Sequence, residues 1–270
     1  MSVSAAKLTG SLTGSLTGFG ASVKRKEDPA FLRGEGQYID DIHLPEMLHA
    51  AFVRSPYAHA RVGKIDKSAA LALPGVHAVL TFADLPEPAR VNTLPCLVPH
   101  PAIKQLYLPY ALAKDEVCYA GEPVACVVAD NRYIAEDAAQ LVEVDYEPLP
   151  AVNDCCAAIG DGAQMVPMAH ANAESNLAAR FAVKVGDADR AFVGAAHVFR
   201  EKIYQHRGGA FFIECRGIVA EYEKHQGAFT LHVSSQGSHR IKRSLMEMFP
   251  LGDHQIRVLT PDVGDRKSVV

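Results

Sequence analysis

The sequence predicts an α/β (α+β) protein, and three observations carry that class. Val124-Ala-Cys-Val-Val-Ala129 is a continuous apolar run suited to a buried strand. Ile134, Ala138 and Leu141 then fit helical spacing, and Val142 to Tyr146 returns as a strand, a compact strand–helix–strand unit. Near the end, Leu231 and Val233 alternate with His232 and Ser234. Ile241, Leu245 and Met248 recur at helical spacing, and Ile256 and Val258 form a further strand. The 270 residues are 49% hydrophobic and 21% charged, a composition that buries a core.

In chain order, residues 8–18 repeat Leu-Thr-Gly-Ser with too little apolar mass to fold, so disorder is expected over 1–19. Folded sequence is expected from near Gly20, and Lys24-Arg-Lys26 reads as solvated surface. Asp28-Pro29 opens a helical turn, because proline is tolerated at the first helical position. Arg33-Gly-Glu-Gly36 reads as a turn. Met47–Arg54, Arg61–Asp66 and Val76–Thr81 read as strands, with a short helix at Lys67–Leu73 ended by Pro74-Gly75. Residues 83–111 carry six prolines, and a long irregular loop is expected there. Asp130 or Asn131 caps the helix that follows Ala129.

Residues 151–185 are rich in Ala, Gly and Asn with little periodicity and read as a linker. Ala195–Tyr204 and Phe211–Tyr222 read as two long strands, with Gly217 marking a bulge or close backbone approach. His225-Gln-Gly227 turns the second of them into Ala228–Val233. Gly252-Asp253 stops the following helix.

Net charge is −4, which gives no electrostatic case for nucleic acid. No run of about 18 apolar residues suggests a membrane span, and Met1 to Ala6 lacks the basic region of a secretory signal. The six cysteines, at 96, 118, 126, 155, 156 and 215, form no C-x-x-C pair. They read as reduced thiols in a cytoplasmic protein, with no metal site assigned. His100, between two prolines, reads as exposed and idle. Gly34-x-Gly36 lacks the third glycine of a dinucleotide loop, and no nucleophile-elbow pattern occurs.

Several phrases resemble one family. Ser234-Ser-Gln236-Gly-Ser-His239 and Ile256-Arg-Val-Leu-Thr-Pro-Asp-Val-Gly264 are similar to the large molybdenum subunit of the xanthine dehydrogenase, aldehyde oxidase and carbon monoxide dehydrogenase family. Gly36-Gln-Tyr-Ile-Asp-Asp-Ile42, Ala51–Ala60, Leu73-Pro-Gly-Val76, Tyr119–Val124 and Val144–Pro150 resemble the α/β hammerhead domain that opens these subunits. Val185-Gly-Asp-Ala-Asp189 resembles the opening of the molybdopterin-binding domain. The resemblance implies a hammerhead domain at 20–150, a linker at 151–185 and the start of the cofactor-binding domain at 186–264.

The same resemblance assigns two cofactor-binding residues. Gln236 stands at the place of a glutamine beside the molybdenum oxo group, where an amide offers both donor and acceptor. Gly264 stands at the first position of a glycine-rich pterin loop. His239 reads as a helix-start residue, and Glu214 as a structural acid pairing with Arg216 or a buried arginine. No catalytic residue is assigned, because the family's catalytic glutamate is expected much later in the subunit, as is the copper-binding cysteine of CO-oxidising members.

The implied parent reaction is oxidative hydroxylation of an aldehyde, an N-heterocycle or CO, with water as oxygen source and a small molecule as substrate. The implied cofactor is molybdopterin, in its cytosine dinucleotide form. The implied partners are a small iron–sulfur subunit and a medium FAD subunit. The piece itself is expected to be inactive, and a non-catalytic assembly module on the hammerhead fold is the alternative. Asp265-Arg-Lys-Ser-Val-Val270 departs from the family. Read-through of a sequencing adapter is one expected origin, since the adapter-like string GATCGGAAGAGCGTCGTG translates to those six residues.

Overall fold

The computed structural model describes residues 24–96, 99–103, 105–160, 166–205, 208 and 211–264. The Leu-Thr-Gly repeat and the 265–270 tail lie outside the described residues. The chain divides into two compact units, 1–37 and 38–270. In the first, Asp28–Leu32 forms helix α1 with Pro29 in its first turn, as the sequence predicts. Arg25 pairs with Asp28 at 2.8 Å, and Gly34 takes φ +70° in the turn that follows.

The second unit holds three three-stranded sheets. Strands β1 (His49–Arg54), β5 (Pro123–Ala129) and β3 (Val76–Thr81) form the first, antiparallel with β5 in the centre. Helix α2 (Ser68–Ala72) packs on β3, and α4 (Arg132–Gln140) packs on β1 and β5. Ala70, Val79, Ala125, Val127, Ala138 and Val142 make its core. Full burial of a valine such as Val127 contributes about 1.5–3 kcal/mol. Asn131, not Asp130, caps α4: its side chain accepts the Ile134 N–H at 3.0 Å. Asp130 instead meets His77 at 2.6 Å.

The second sheet has the order β4 (Glu116–Val117), β2 (Ala60–Asp66), β6 (Glu143–Pro148). Ala60, Ala113, Val117 and Val124 form a second small core beside it. The third sheet joins β7 (Ile218–Glu223), β8 (Ala228–Val233) and β9 (Ile256–Leu259). Strands β7 and β8 are an antiparallel hairpin turned at Gly227, φ +62°. Strands β8 and β9 are parallel, so a crossover is required. Helix α7 (Ser238–Met248) supplies it, placing Met248 in the interior.

Several expectations need correction. Residues 195–205 form no strand. Among the described residues no strand supplies the ladder bonds that an alternating pattern alone cannot satisfy, and Val198, Phe199, Ile203 and Tyr204 are exposed. The strand expected over Phe211–Tyr222 is confined to Ile218–Glu223. Its partner runs out, because Ile218 faces Val233, the last residue of β8. The Pro-rich loop contains a short helix, α3 (Glu87–Val91), which starts after Pro86 with Pro88 in its first turn. Within the expected linker, Asp154 caps α5 (Cys155–Ile159) by accepting from Cys156 and Ala157 N–H groups. A further helix, α6 (Ala188–Gly194), is capped by Asp187.

Candidate functional site

Strands β8 and β9 run side by side in the same direction, with His232 opposite Leu259. Gln236 follows the carboxyl end of β8 and Gly264 follows the carboxyl end of β9. In sheets with parallel strands and crossover helices, ligands bind outside the carboxyl ends of the strands. The two residues singled out by sequence thus each follow one of two adjacent parallel strands.

The loop that carries Gln236 is tied down at its base. Ser234 Oγ accepts the Gly217 N–H at 2.9 Å, and the Ser234 N–H donates to the Gly217 carbonyl at 3.2 Å. Gly217 admits no side chain: a Cβ there would stand 2.7 Å from Ile39 Cγ2. This is the close backbone approach that its place in the sequence predicts. Ser235 Oγ then accepts the Gly237 N–H at 3.2 Å. Gln236 itself is exposed between these two anchored residues. His239 lies in the first turn of α7, as a helix-start residue.

Gly264 sits against Glu214. The Gly264 N–H donates to Glu214 Oε2 at 2.7 Å, and the Glu214 N–H donates to the Gly264 carbonyl at 3.0 Å. A Cβ on Gly264 would meet Glu214 Cβ at 2.7 Å. The other carboxylate oxygen, Glu214 Oε1, accepts the Ile39 N–H at 3.2 Å. Glu214 is thus a structural acid, but it holds two backbone N–H groups rather than the arginine the sequence suggests. Carboxylates accepting N–H groups make strong, charge-assisted bonds. The Gly264 N–H is thus committed, and Glu214 and Tyr38 fill the space a side chain there would need. Thr260 Oγ1, just past β9, is buried and has no hydrogen-bond partner among the described residues.

A second polar centre lies in the β4–β2–β6 sheet, and sequence reasoning missed it. His59 precedes β2, and its Nδ1 stands 2.7 Å from the Pro150 carbonyl oxygen. Its Nε2 meets Glu116 Oε1 at 2.5 Å. Cys118 Sγ is 3.8 Å from the same oxygen. Glu122, 5% exposed, accepts the Cys118 N–H at 2.6 Å. Burial lowers the His59 pKa, but the Pro150 carbonyl and Glu116 outweigh it and leave it above the ordinary value. Burial, then the charges of Glu116 and Glu122, push the Cys118 thiol up to about 12. Burial also pushes the Glu122 carboxyl up, despite the Cys118 and Tyr119 N–H groups. His170, stacked on Tyr107 at 4.6 Å, is held below its ordinary value by burial, within electrostatic reach of Glu116 and His59. The local sequence signal was Glu116-x-Cys118, the first in β4 and the second just past its end.

The remaining candidates have local roles. His100 Nδ1 accepts the Ala102 N–H at 3.1 Å, and its ring lies 5.4 Å from Phe181. All six cysteines are free thiols. Among the described residues no helix is long and apolar enough to cross a membrane.

Residues 33–150 match the aldehyde oxidase and xanthine dehydrogenase a/b hammerhead domain, and residues 169–265 match the molybdopterin cofactor-binding domain. The chain is 38% identical over 250 residues to the nicotine 6-hydroxylase large subunit of Paenarthrobacter nicotinovorans, covering 91% of this chain and 29% of that protein. It is 38% identical over 257 residues to the carbon monoxide dehydrogenase large chain of Afipia carboxidovorans, covering 92% of this chain and 31% of that one. Quinoline 2-oxidoreductase from Pseudomonas putida 86 superposes with a TM-score of 0.80 at 36% identity, over 91% of this chain and 30% of the other. The chain therefore spans about a third of the length of the relatives it matches.

Proposed function

The chain belongs to the aldehyde oxidase and xanthine dehydrogenase family, in the portion of the molybdenum-binding large subunit formed by the hammerhead domain and the start of the cofactor domain, and from this we propose that it supplies one edge of a molybdopterin site. The parent protein catalyses oxidative hydroxylation of a small aldehyde, N-heterocycle or CO. The observation that carries this reading is the placement of Gln236 and Gly264 at the carboxyl ends of the parallel strands β8 and β9.

The residues present suit such a group at that edge. The Gln236 amide both donates and accepts, so it can hold an oxygen ligand and orient a substrate. Gly264 lets backbone approach closely where a side chain would collide with Glu214. Thr260 brings a buried hydroxyl without a partner among the described residues, the kind of group a ligand or water satisfies. Bound there, the molybdopterin group supplies the oxidising centre. The chain's own part is to fix the loop that carries Gln236 through Ser234 and Ser235.

The cofactor form is the cytosine dinucleotide, and electrons leave through iron–sulfur and FAD centres on partner chains in the cytoplasm. The exposed apolar side chains of residues 181–213, including Phe199, Ile203, Phe211 and Ile213, suit a surface that the rest of the large subunit covers. Residues 1–270 alone are inactive. Purified chain 1–270 is expected neither to bind molybdopterin stoichiometrically nor to turn over an aldehyde, a purine or CO, and either activity overturns this. In the full-length subunit, Gln236→Ala is expected to lower kcat at least about 10-fold with molybdenum content unchanged. Unchanged turnover sinks the assignment of Gln236, and a native stop codon after Gly264 favours a non-catalytic module.

A further inference from the structure

We propose that His59, Glu116 and Cys118 form a divalent-cation site, with Zn²⁺ as the ion their chemistry favours. The topology builds it. Ala60 pairs with Val117 on one side and with Pro148 on the other. His59, just before Ala60, is thereby set between Glu116 and the end of β6. Glu116, in β4, and Cys118, just past its end, flank Val117, and each brings a ligand atom close to His59. One nitrogen, one oxygen and one sulfur atom then lie within 4.8 Å of one another.

The hydrogen-bond accounting points to a cation at their centre. A carbonyl oxygen only accepts, so the contact between His59 Nδ1 and Pro150 O makes Nδ1 the protonated nitrogen. In the neutral ring, Nε2 is then a bare lone pair aimed at Glu116 Oε1. Two acceptors that close need either a proton or a metal ion between them. Without metal, that place is filled by an Nε2–H proton, while the Cys118 thiol donates to the same oxygen. Glu116 Oε1 thus accepts from both neighbours, and a metal replaces both protons, which pass to solvent as the thiolate and the neutral imidazole become ligands.

The surroundings match a metal site. A ligating histidine usually donates its other N–H to a carbonyl or carboxylate, which fixes ring and tautomer, and Pro150 O does this here. Buried Glu122 holds the Cys118 backbone N–H and so fixes the segment after β4 that carries the sulfur. Mixed N, O and S ligation is the donor set of zinc rather than of the hard cations magnesium or calcium. Bonds of about 2.0–2.3 Å would open the His59–Glu116 contact by less than an ångström or so and leave a fourth place for water. Among the described residues, the exposed Cys155-Cys156 pair belongs to no such group.

The test uses the full chain, freed of metal, titrated with Co²⁺ and with Zn²⁺. One equivalent is expected to bind, and Co²⁺ to show a thiolate charge-transfer band in the near ultraviolet. Cys118→Ser is expected to abolish the band and His59→Ala to weaken Zn²⁺ binding by about 100-fold. Cys155→Ser and Cys156→Ser are expected to change neither. Saturating Zn²⁺ is expected to raise Tm of the unmodified chain by several degrees and to leave Cys118→Ser little affected. Far-UV circular dichroism is expected to show the conservative Cys118→Ser variant folded as the unmodified chain is. No binding, or a band that survives Cys118→Ser and disappears with Cys155→Ser, overturns the proposal and leaves His59–Glu116 as an ion pair. The outcome is independent of molybdopterin binding.

Discussion

Glu214 and Gly264 hold each other by two hydrogen bonds: the Gly264 N–H donates to Glu214 Oε2 at 2.7 Å, and the Glu214 N–H donates to the Gly264 carbonyl at 3.0 Å. The pair joins the segment before β7 to the segment after β9. Its second carboxylate oxygen reaches the Ile39 N–H, so one side chain ties three distant stretches together. Glu214→Ala removes the acceptor from both N–H groups and is expected to cost about 1.5–3 kcal/mol. Glu214→Gln keeps one acceptor oxygen and is expected to cost less. Urea unfolding of the two variants checks the order, and equal losses count against the clamp.

Gly264→Ala puts a Cβ 2.7 Å from Glu214 Cβ. Neither atom sits at the end of a flexible side chain, so backbone must move. Overpacking of this kind is expected to cost about 1–3 kcal/mol. Gly237→Ala, whose Cβ would find only Arg240 Cβ at 3.5 Å, serves as the comparison and is expected to cost less. Thermal unfolding of both variants decides the matter.

Ser234→Ala leaves the Gly217 N–H without its side-chain acceptor. A loss of about 1 kcal/mol is expected, with faster amide exchange at Gly217 than at Leu231 in the middle of β8. Unchanged exchange at Gly217 argues that Ser234 does not anchor the Gln236 loop.

The cap of α4 gives a choice between neighbours. Asn131→Ala is expected to cost about 1 kcal/mol through the lost bond to Ile134 N–H. Asp130→Ala is expected to cost less, because its partner His77 is exposed with it. The reverse order in denaturant titrations contradicts the capping assignment.

Acid stability should depend on Asp84. The Lys67 ammonium at 2.7 Å, then the Thr81 N–H and hydroxyl at 2.8 Å, hold its carboxyl down at about 2. The folded value lies below the ordinary one, so the stabilisation is present above the ordinary carboxyl range and disappears as pH falls toward 2. The Tm gap between the unmodified chain and Asp84→Asn is expected to stay constant from about pH 7 to 5 and to shrink below about 4. A gap that widens on acidification rules out this role.

Much of the architecture follows from local pattern. The run Val124–Ala129, the spacing of Ile134 and Ala138, and the return at Val144 specify β5, α4 and β6 because each period has one periodic structure that buries its apolar face. The same holds for β8, α7 and β9, and Gly227 marks its hairpin because the turn needs positive φ. Ala195–Tyr204 shows where the pattern misleads: alternation is necessary for a half-buried strand, but no neighbouring strand pairs with it.

By itself, the sequence determined the α/β class, the order of most elements and the family. Tertiary structure alone decided the partners. Glu214 finds Ile39 across 175 positions and Gly264 across 50, and His59 finds Glu116 across 57. Hydrophobic period reports which face of an element is buried, not which backbone group or side chain waits opposite it. Those pairings arise only when strands far apart in the chain settle into register, which is why a clamp on Gly264 and a histidine–carboxylate–thiol cluster were invisible in the sequence.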